Sequence, residues 1–352
     1  MRQTDPRIDI WLAGNADPVA DPLLGMEAAG LFAPESSYGA IARIKSDLVE
    51  RTGLIGLAGV WGGRQMVSRF FLERFGTPAQ IAAWGGKGLS VAISEPGVGA
   101  HPKLLTTRAV AQGDAVRIDG KKAWVSGGPT ADAVIVFAIT AEDAGRKRYG
   151  AFLVPTTTPG LSMAEMPGFH ALRPSRHCAM TLDGCIVPRS AQLGPDGSAY
   201  DRMALPFRDE EDAVGTFGLL GAFRYLARRL GQGGDKAGDK GGEKAGDKAE
   251  EAALSLGGIA ALIAVFAAGA EAVVAQLDAG ALETGSPVLV GLRVLATDLL
   301  ARCRGHIDAH GAPANADAVA TMLSDIEAVL GVARGPRLAR QARLGTALFR
   351  GR

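Results

Sequence analysis

The sequence predicts an α+β protein: N-terminal helices, a central β-domain and a C-terminal helical bundle. Three changes of hydrophobic period carry this reading. From Pro34 to Phe75, residues such as Ile41, Ile44, Leu48, Leu54, Leu57, Val60, Met66, Phe70 and Phe71 recur mostly three or four positions apart, the mark of helices with one buried face. Between Gly86 and Ala199 the chain turns to short alternating or wholly apolar runs broken by Gly, Pro and Asp, which is the pattern of strands. From Met203 the helical spacing returns. These changes set the expected domain limits at 1–85, 86–202 and 203–352.

Composition bounds the class. The 352 residues are 47% hydrophobic and 21% charged with a net charge of +1, as in a soluble globular protein. A near-neutral chain without clustered Lys and Arg gives no basis for a nucleic-acid partner. Cys178, Cys185 and Cys303 are odd in number and have no telling spacing, so a reducing cytoplasmic setting is expected rather than a disulfide framework. His170 and His177 near Cys178 do not reproduce a zinc spacing and read as solvated loop residues, so no metal is expected. Met1-Arg-Gln-Thr-Asp-Pro6 lacks the apolar core of a signal peptide.

Taken in order, residues 1–22 carry Pro6, Pro18 and Pro22 among polar residues and read as an extended arm. Phe75-Gly76-Thr77-Pro78 closes the first helical region, with Gly at the stop and Pro beyond it. Val116-Arg-Ile-Asp-Gly120 reads as a strand entering an Asp-Gly hairpin turn, with the return strand through Ala123-Trp-Val125. Val134–Ile139 and Ala151–Val154 supply further strands, and a compact β-barrel is the economical arrangement. Helical runs then cover Glu210–Leu230, Glu251–Leu277 and the chain from Val288. Between the first two, residues 231–251 form a degenerate Asp/Glu-Lys repeat with Gly and Ala, expected to be a mobile solvated loop because no apolar residue larger than Ala is present to offset ordering. Ala252–Ala270 is uncharged and long enough for a membrane span, but it is rich in Ala and Gly and lacks aromatic or cationic anchors at both ends. A bundle helix is the expectation, with no membrane.

Two stretches in the central region carry the chemistry. Leu89-Ser-Val-Ala-Ile-Ser-Glu-Pro-Gly-Val-Gly99 is a short strand ending in a glycine-containing turn, where the backbone can approach a ligand closely. Gly120-Lys-Lys-Ala-Trp-Val-Ser126 places an aromatic face and a hydroxyl two residues apart, on one side of a strand. An aromatic wall, a hydroxyl and an unobstructed backbone suit a planar polar ring better than a metal or a bare phosphate.

Ser94-Glu95-Pro96-Gly97-Val98-Gly99 resembles the Thr-Glu-Pro-x-x-Gly segment of the acyl-CoA dehydrogenase family, and Trp124-Val125-Ser126 resembles its Trp-Ile-Thr/Ser segment. Ala131–Ala138, Gly150–Pro155, Pro159-Gly160-Leu161 and Leu182–Pro188 match further segments in the right order. The resemblance implies an acyl-CoA dehydrogenase-like fold whose barrel has roughly six to eight strands. It also implies FAD as cofactor, an acyl thioester on CoA or a carrier protein as substrate, and a homo- or hetero-oligomer. The residues it assigns to the cofactor are Ile93, Ser94, Gly99, Trp124, Val125 and Ser126 at the flavin ring, with Arg229 in Arg228-Arg229-Leu230-Gly231 matching an arginine that reaches the pyrophosphate. Arg173 in Leu172-Arg-Pro-Ser-Arg176 resembles a family turn near the cofactor, and also reads simply as a structural turn.

Acyl thioester dehydrogenation needs a carboxylate to remove the α-proton while a hydride leaves the β-carbon for the flavin. In many members that glutamate lies late in the chain; here the corresponding position is Pro336. In the isovaleryl-type members it lies seven residues before a Gly-x-x-Gly pair, and Glu211 stands seven before Gly218-Leu-Leu-Gly221. Glu211 is therefore the candidate base, and a solvated acidic helix start is the competing reading. The sequence also departs from the family pattern: the N-terminal domain is short, Ala100-His101 replaces Ser-Asp, and Asp212 replaces a basic residue. Three functions remain open: an FAD-dependent dehydrogenase, a catalytically impaired partner subunit in a mixed oligomer, and other flavin chemistry such as oxygenation.

Overall fold

The computed structural model describes residues 5–15, 17–232, 243–313 and 315–350. The chain divides into two compact units. One comprises residues 7–35 and 59–211 and holds the sheet; the other comprises the described parts of 1–6, 36–58 and 212–352. The helices expected to form a separate domain over 1–85 are thus shared between the two.

The N-terminal segment is helical rather than extended: α1 spans Pro6–Gly14 and buries Ile8 and Trp11. Pro6 suits a first helical turn, and Ile8 and Trp11, three apart, lie on one face. Helix α2 (Tyr38–Thr52) is capped by Ser37 and stops at Gly53 in the left-handed conformation. Helix α3 (Ile55–Val67) runs through a π-helical turn, Ser68–Leu72, into the short α4 (Glu73–Phe75). The stop expected near Phe75 follows, and Thr77 then opens α5 (Pro78–Trp84) with a full capping box to Gln80. In the sheet-bearing unit, Phe70, Phe71, Phe75, Phe137 and Phe207 form one aromatic cluster with ring centroids 4.7–6.0 Å apart.

The β-domain has eight strands: β1 (Leu89–Ala92), β2 (Arg108–Gln112), β3 (Ala115–Ser126), β4 (Ala133–Asp143), β5 (Arg146–Pro155), β6 (Leu161–Glu165), β7 (His177–Pro188) and β8 (Gln192–Leu193). They form one mixed sheet ordered β6-β7-β3-β2-β4-β5-β8, with β1 parallel to the start of β4. The strand count falls within the expected range, but the pairing path runs from one edge strand to another instead of returning on itself. Ala133–Ile139 of β4 is buried on both faces, which explains its uninterrupted apolar sequence. Val116, Ile118, Val125, Val136, Phe152, Met180, Leu182 and Val187 belong to the core beneath the sheet.

The expected Asp119-Gly120 hairpin does not form. β3 runs straight through these residues, and the tight connection is instead Gly113-Asp114, which joins Gln112 to Ala115 across β2 and β3. Gly120 serves close approach: a Cβ there would lie 2.7 Å from the Thr107 backbone, and φ is +153°. The Asp-Gly pair is a strong hairpin signal only where the following residues can turn back, and here they continue to pair with β7.

In the other unit, α6 (Leu205–Gly231) enters from the sheet-bearing unit, and α7 (Glu243–Asp278), α8 (Pro287–His310), α9 (Ala316–Gly331) and α10 (Arg334–Arg350) follow. The loop expected over 231–251 is corrected for part of its length. Glu243–Glu251 form the first turns of α7, because Ala, Lys and Glu are strong helix formers adjoining an apolar helical run; residues 233–242 lie outside the described residues. Ile259, Ile263, Phe266, Ala270, Val273, Val274 and Leu277 give α7 a buried face, while Leu254 and Val265 stand exposed among Ala and Gly. By length and composition, Gly246–Asp278 could also cross a membrane, and 33% of its most apolar window is buried within the chain. Asp278 closes the unit by accepting from the Tyr38 and Gly39 amides at 2.8 and 3.0 Å, capping the start of α2.

The Gly120→Ala substitution is expected to destabilise the protein by about 2–3 kcal/mol through overpacking against Thr107. A urea unfolding curve that moves by less than a few tenths of that would show Gly120 to be an ordinary strand position.

Candidate functional site

Both stretches singled out in the sequence lie in the sheet-bearing unit, and the backbone brings them together. Beyond β1, Ile93 and Ser94 lead into a turn in which Glu95 N donates to Gly99 O at 2.9 Å and Gly99 N to Glu95 O at 3.1 Å. Gly97 and Gly99 have φ values of +74° and +59°, and a Cβ on either would meet no heavy atom within 4 Å. The glycines are thus required for the turn's conformation, and open space lies in front of it. The Ala123 amide donates to Ser94 O at 2.9 Å and joins the two stretches directly.

The stronger link is a buried ion pair that sequence reading missed. Lys122 Nζ donates to Glu95 Oε1 at 3.0 Å and to Ile93 O at 3.2 Å, with side-chain exposures of 0% for Lys122 and 3% for Glu95. Glu95 also accepts from the Thr106 amide at 2.7 Å, the Thr106 hydroxyl at 2.8 Å and the Thr107 amide at 2.9 Å. Burial pushes the Glu95 carboxyl upward, but Lys122 and the threonine donors outweigh it and hold the pKa at about 2. Burial brings Lys122 down to about 8 against the opposing pull of Glu95. Strict alternation would put Lys122 on the same side as Trp124. Lys122 keeps the buried phase of Val116 and Ile118, and the irregularity in the β3–β7 register between Lys122 and Val125 turns Trp124 to the exposed side instead.

That bulge also sets the ring-facing side chains. Trp124 has a φ of +60° and is 50% exposed, Val125 is buried and Ser126 is exposed, so Trp124 and Ser126 share the open face as expected. Phe169 meets Trp124 edge to face at 5.2 Å. Ser126 is held twice: its carbonyl accepts from the Ser90 hydroxyl at 2.6 Å, and its own hydroxyl lies 2.9 Å from Nδ1 of His177, its partner on β7. His177 was read as a solvated loop residue; it is instead a half-buried strand residue at the site, with its pKa lowered by burial and by Arg173. Its cross-strand position opposite Ser126 could be found only with the register known. Arg173 itself pairs with Glu165 at 3.0 Å.

The loop after the glycine turn is tied down from below. Lys147 Nζ donates to the Lys103 and Leu105 carbonyls at 2.8 and 2.7 Å, Tyr149 to the Pro102 carbonyl and Tyr200 to the Ala100 carbonyl. The site is a rigid scaffold carrying an exposed aromatic face, a hydroxyl and an unobstructed turn. Among the described residues no group of three or more His, Cys, Asp or Glu side chains could hold a metal. Such a surface is suited to stacking on and hydrogen bonding to a planar heteroaromatic ring.

The remaining candidates lie elsewhere on α6. Glu211 is not at a helix start; it follows the first turn of α6, and it is exposed. Its neighbours differ: Asp209 and Glu210 are buried, and Glu210 pairs with Arg74 at 2.8 Å. Asp212 accepts from Arg293 at 3.1 Å and from Arg337 at 2.7 Å. Burial raises its pKa, but the arginines prevail and lower it. Arg229 belongs to the helical unit, where its guanidinium lies over the Tyr225 ring at 5.0 Å. Pro336 is in the first turn of α10 and is exposed.

Comparison with known proteins falls on the same region. Residues 90–185 match the model of the acyl-CoA dehydrogenase middle domain. The chain is 35% identical over 109 residues to the mitochondrial short-chain specific acyl-CoA dehydrogenase of Homo sapiens, covering 31% of this chain and 26% of that protein. It is 29% identical over 208 residues to the mitochondrial isovaleryl-CoA dehydrogenase of Oryza sativa subsp. japonica, covering 55% and 50% respectively. The matched part thus spans half or less of these relatives' length. In structure it superimposes on the butyryl-CoA dehydrogenase of Megasphaera elsdenii with a TM-score of 0.71 at 16% identity, over 99% of both chains, which establishes a shared fold.

The Glu95→Gln substitution leaves Lys122 buried without its counter-charge and is expected to cost about 3–5 kcal/mol, whereas Glu95→Gln with Lys122→Met should recover much of that loss. Since the folded-state pKa of Glu95 lies below its ordinary value of 4.5, its contribution is present above that value and declines as pH falls toward about 2. Urea titrations between pH 6 and pH 3 would check this: a wild-type slope no steeper than that of the double variant would contradict it.

Proposed function

We propose that the chain, whose residues 90–185 match the acyl-CoA dehydrogenase middle domain, is a member of that family that binds FAD and dehydrogenates an acyl thioester between its α- and β-carbons. The observation that carries this reading is the exposed face of Trp124 and Ser126 beside the open Glu95–Gly99 turn, within the segment that matches the family's middle domain. Trp124 would provide the stacking surface and Ser126 a hydrogen bond to the ring, with Ile93, Ser94, Gly99 and Val125 forming the adjoining backbone. Arg229 is the proposed contact to the pyrophosphate of FAD held by a neighbouring subunit, as the resemblance implies. When bound, FAD supplies the hydride acceptor.

Glu211 is the proposed base, one carboxylate oxygen taking the acidic proton next to the thioester carbonyl. Two features support the choice. Glu211 is exposed and lies in the sheet-bearing unit that also holds Trp124 and Ser126. The late position is also taken by Pro336, which has no group to accept a proton. The proposal covers a thioester on CoA and one on a carrier protein alike. The exposed Leu254 and Val265 among the small residues of α7 support assembly with a further copy or with a related subunit.

The same Pro336 favours a second reading, in which the chain is a catalytically impaired partner of a complete subunit. The two readings separate on the visible spectrum and on turnover. Purified protein supplied with FAD is expected to show flavin absorption, and anaerobic mixing with a panel of acyl thioesters should bleach it. Glu211→Gln should slow bleaching by about 100-fold or more. Bleaching unchanged in that variant removes Glu211 as the base. Flavin that no thioester bleaches, with a longer homologous subunit copurifying, favours the second reading.

A further inference from the structure

We propose that His177 is a positioning residue: its Nδ1–H donates to the Ser126 hydroxyl oxygen, which leaves the hydroxyl hydrogen to point from the open face toward the ring of the cofactor. The inference rests on the flavin reading for its ligand, but its geometry belongs to the protein alone.

Ser126 and His177 are direct partners across β3 and β7, and their Oγ and Nδ1 atoms lie 2.9 Å apart. A hydrogen bond at this distance can run either way. If the imidazole carries its hydrogen on Nε2, Ser126 must donate to Nδ1, and its oxygen can then only accept from a ligand. If the hydrogen is on Nδ1, the ring donates and the serine hydrogen is released.

The surroundings decide between these arrangements. Nε2 is buried and has no hydrogen-bond partner among the described residues. A hydrogen there would be an unmet buried donor, whereas a hydrogen on Nδ1 leaves only an unmet lone pair, and orphaned buried donors are the rarer state in folded proteins. The ring has little freedom to exchange its two nitrogens: Phe169 packs against it edge to face at 5.1 Å, and Trp124 lies 6.4 Å away. Burial and the nearby Arg173 guanidinium disfavour the doubly protonated form, so one nitrogen carries the hydrogen. The Ser126 backbone is fixed by Ser90, so the hydroxyl rotor is the remaining freedom, and His177 removes it. The effect is a preorganised donor presented beside Trp124, ordered before any ligand arrives.

Two measurements test this, the first without cofactor. Long-range proton–nitrogen correlation spectra of protein with nitrogen-15 histidine, the His177 signals assigned by their loss in His177→Asn, are expected to show Nδ1 protonated and Nε2 bare at neutral pH. The opposite tautomer, or an imidazolium, overturns the proposal. The second is the FAD dissociation constant, read from flavin fluorescence. His177→Leu and Ser126→Ala should each weaken binding about tenfold, and the double variant little more than either. His177→Asn, whose side-chain amide can donate from near the Nδ1 position, should restore most of the affinity. Equal losses for Leu and Asn would overturn the proposal by showing that His177 only fills space. If no variant and no wild-type protein binds FAD, the flavin reading fails, and the tautomer alone decides the role of His177.

Discussion

The contact between Glu95 and Lys122 is the constraint on which the site depends. Neither residue would meet the ligand. The pair instead converts two stretches that are far apart in sequence into one surface, because Lys122 bonds at once to the Glu95 carboxylate and to the Ile93 carbonyl. A buried charge pair is rarely retained for stability alone, since desolvation consumes most of the attraction. Its value here is directional. Thr106 and Thr107 supply three more donors to the same carboxylate, so the turn that follows Glu95 has one energetically acceptable position. An apolar pair of similar size could fill the space but could not fix the turn to the atom.

From that anchor the rest of the ring-facing surface follows. Beyond the buried Lys122, the bulge in β3 gives Trp124 its left-handed backbone and its outward aim. Backbone strain of this kind persists only where the surroundings over-determine it. Ala123 bonded to Ser94 on one side, and Val125 and Ser126 back in register with Cys178 and His177 on the other, supply that determination. The chemistry offered to a ligand is therefore set by interactions beneath the surface as much as by the residues on it.

Much of this was legible in the sequence, and the parts that were not share a cause. Periodicity located the helical and strand regions, and Thr77-Pro78 with the preceding Gly76 marked a real helix boundary. The Ser94–Gly99 and Trp124–Ser126 segments were recognisable because their residue types follow a known family pattern in order. Misreadings arose where tertiary contacts override local preference. Asp119-Gly120 has the composition of a turn, yet Gly120 is needed for its contact with Thr107. Nothing in the local spacing marks Lys122 as buried, and its ion pair with Glu95 shows only in the tertiary structure. Residues 6–14 look like an arm until the burial of Ile8 and Trp11 is known. His177 gave no signal at all, because cross-strand register is not written in local spacing.

The position of α2 has a consequence for how the chain is made. Its buried residues Tyr38, Ile41, Ile44, Leu48 and Val49 belong with helical segments beyond residue 212, and besides the Ser37 cap its first amides are held by Asp278, 240 residues after Tyr38. A ribosome would therefore release α2 early and deliver its partners last, with the whole sheet-bearing segment emerging in between. That segment can collapse on its own core during the interval, but the apolar stripe of α2 must remain shielded by something other than its final neighbours. The discontinuous helical unit is thus the part of the molecule most dependent on the order of synthesis.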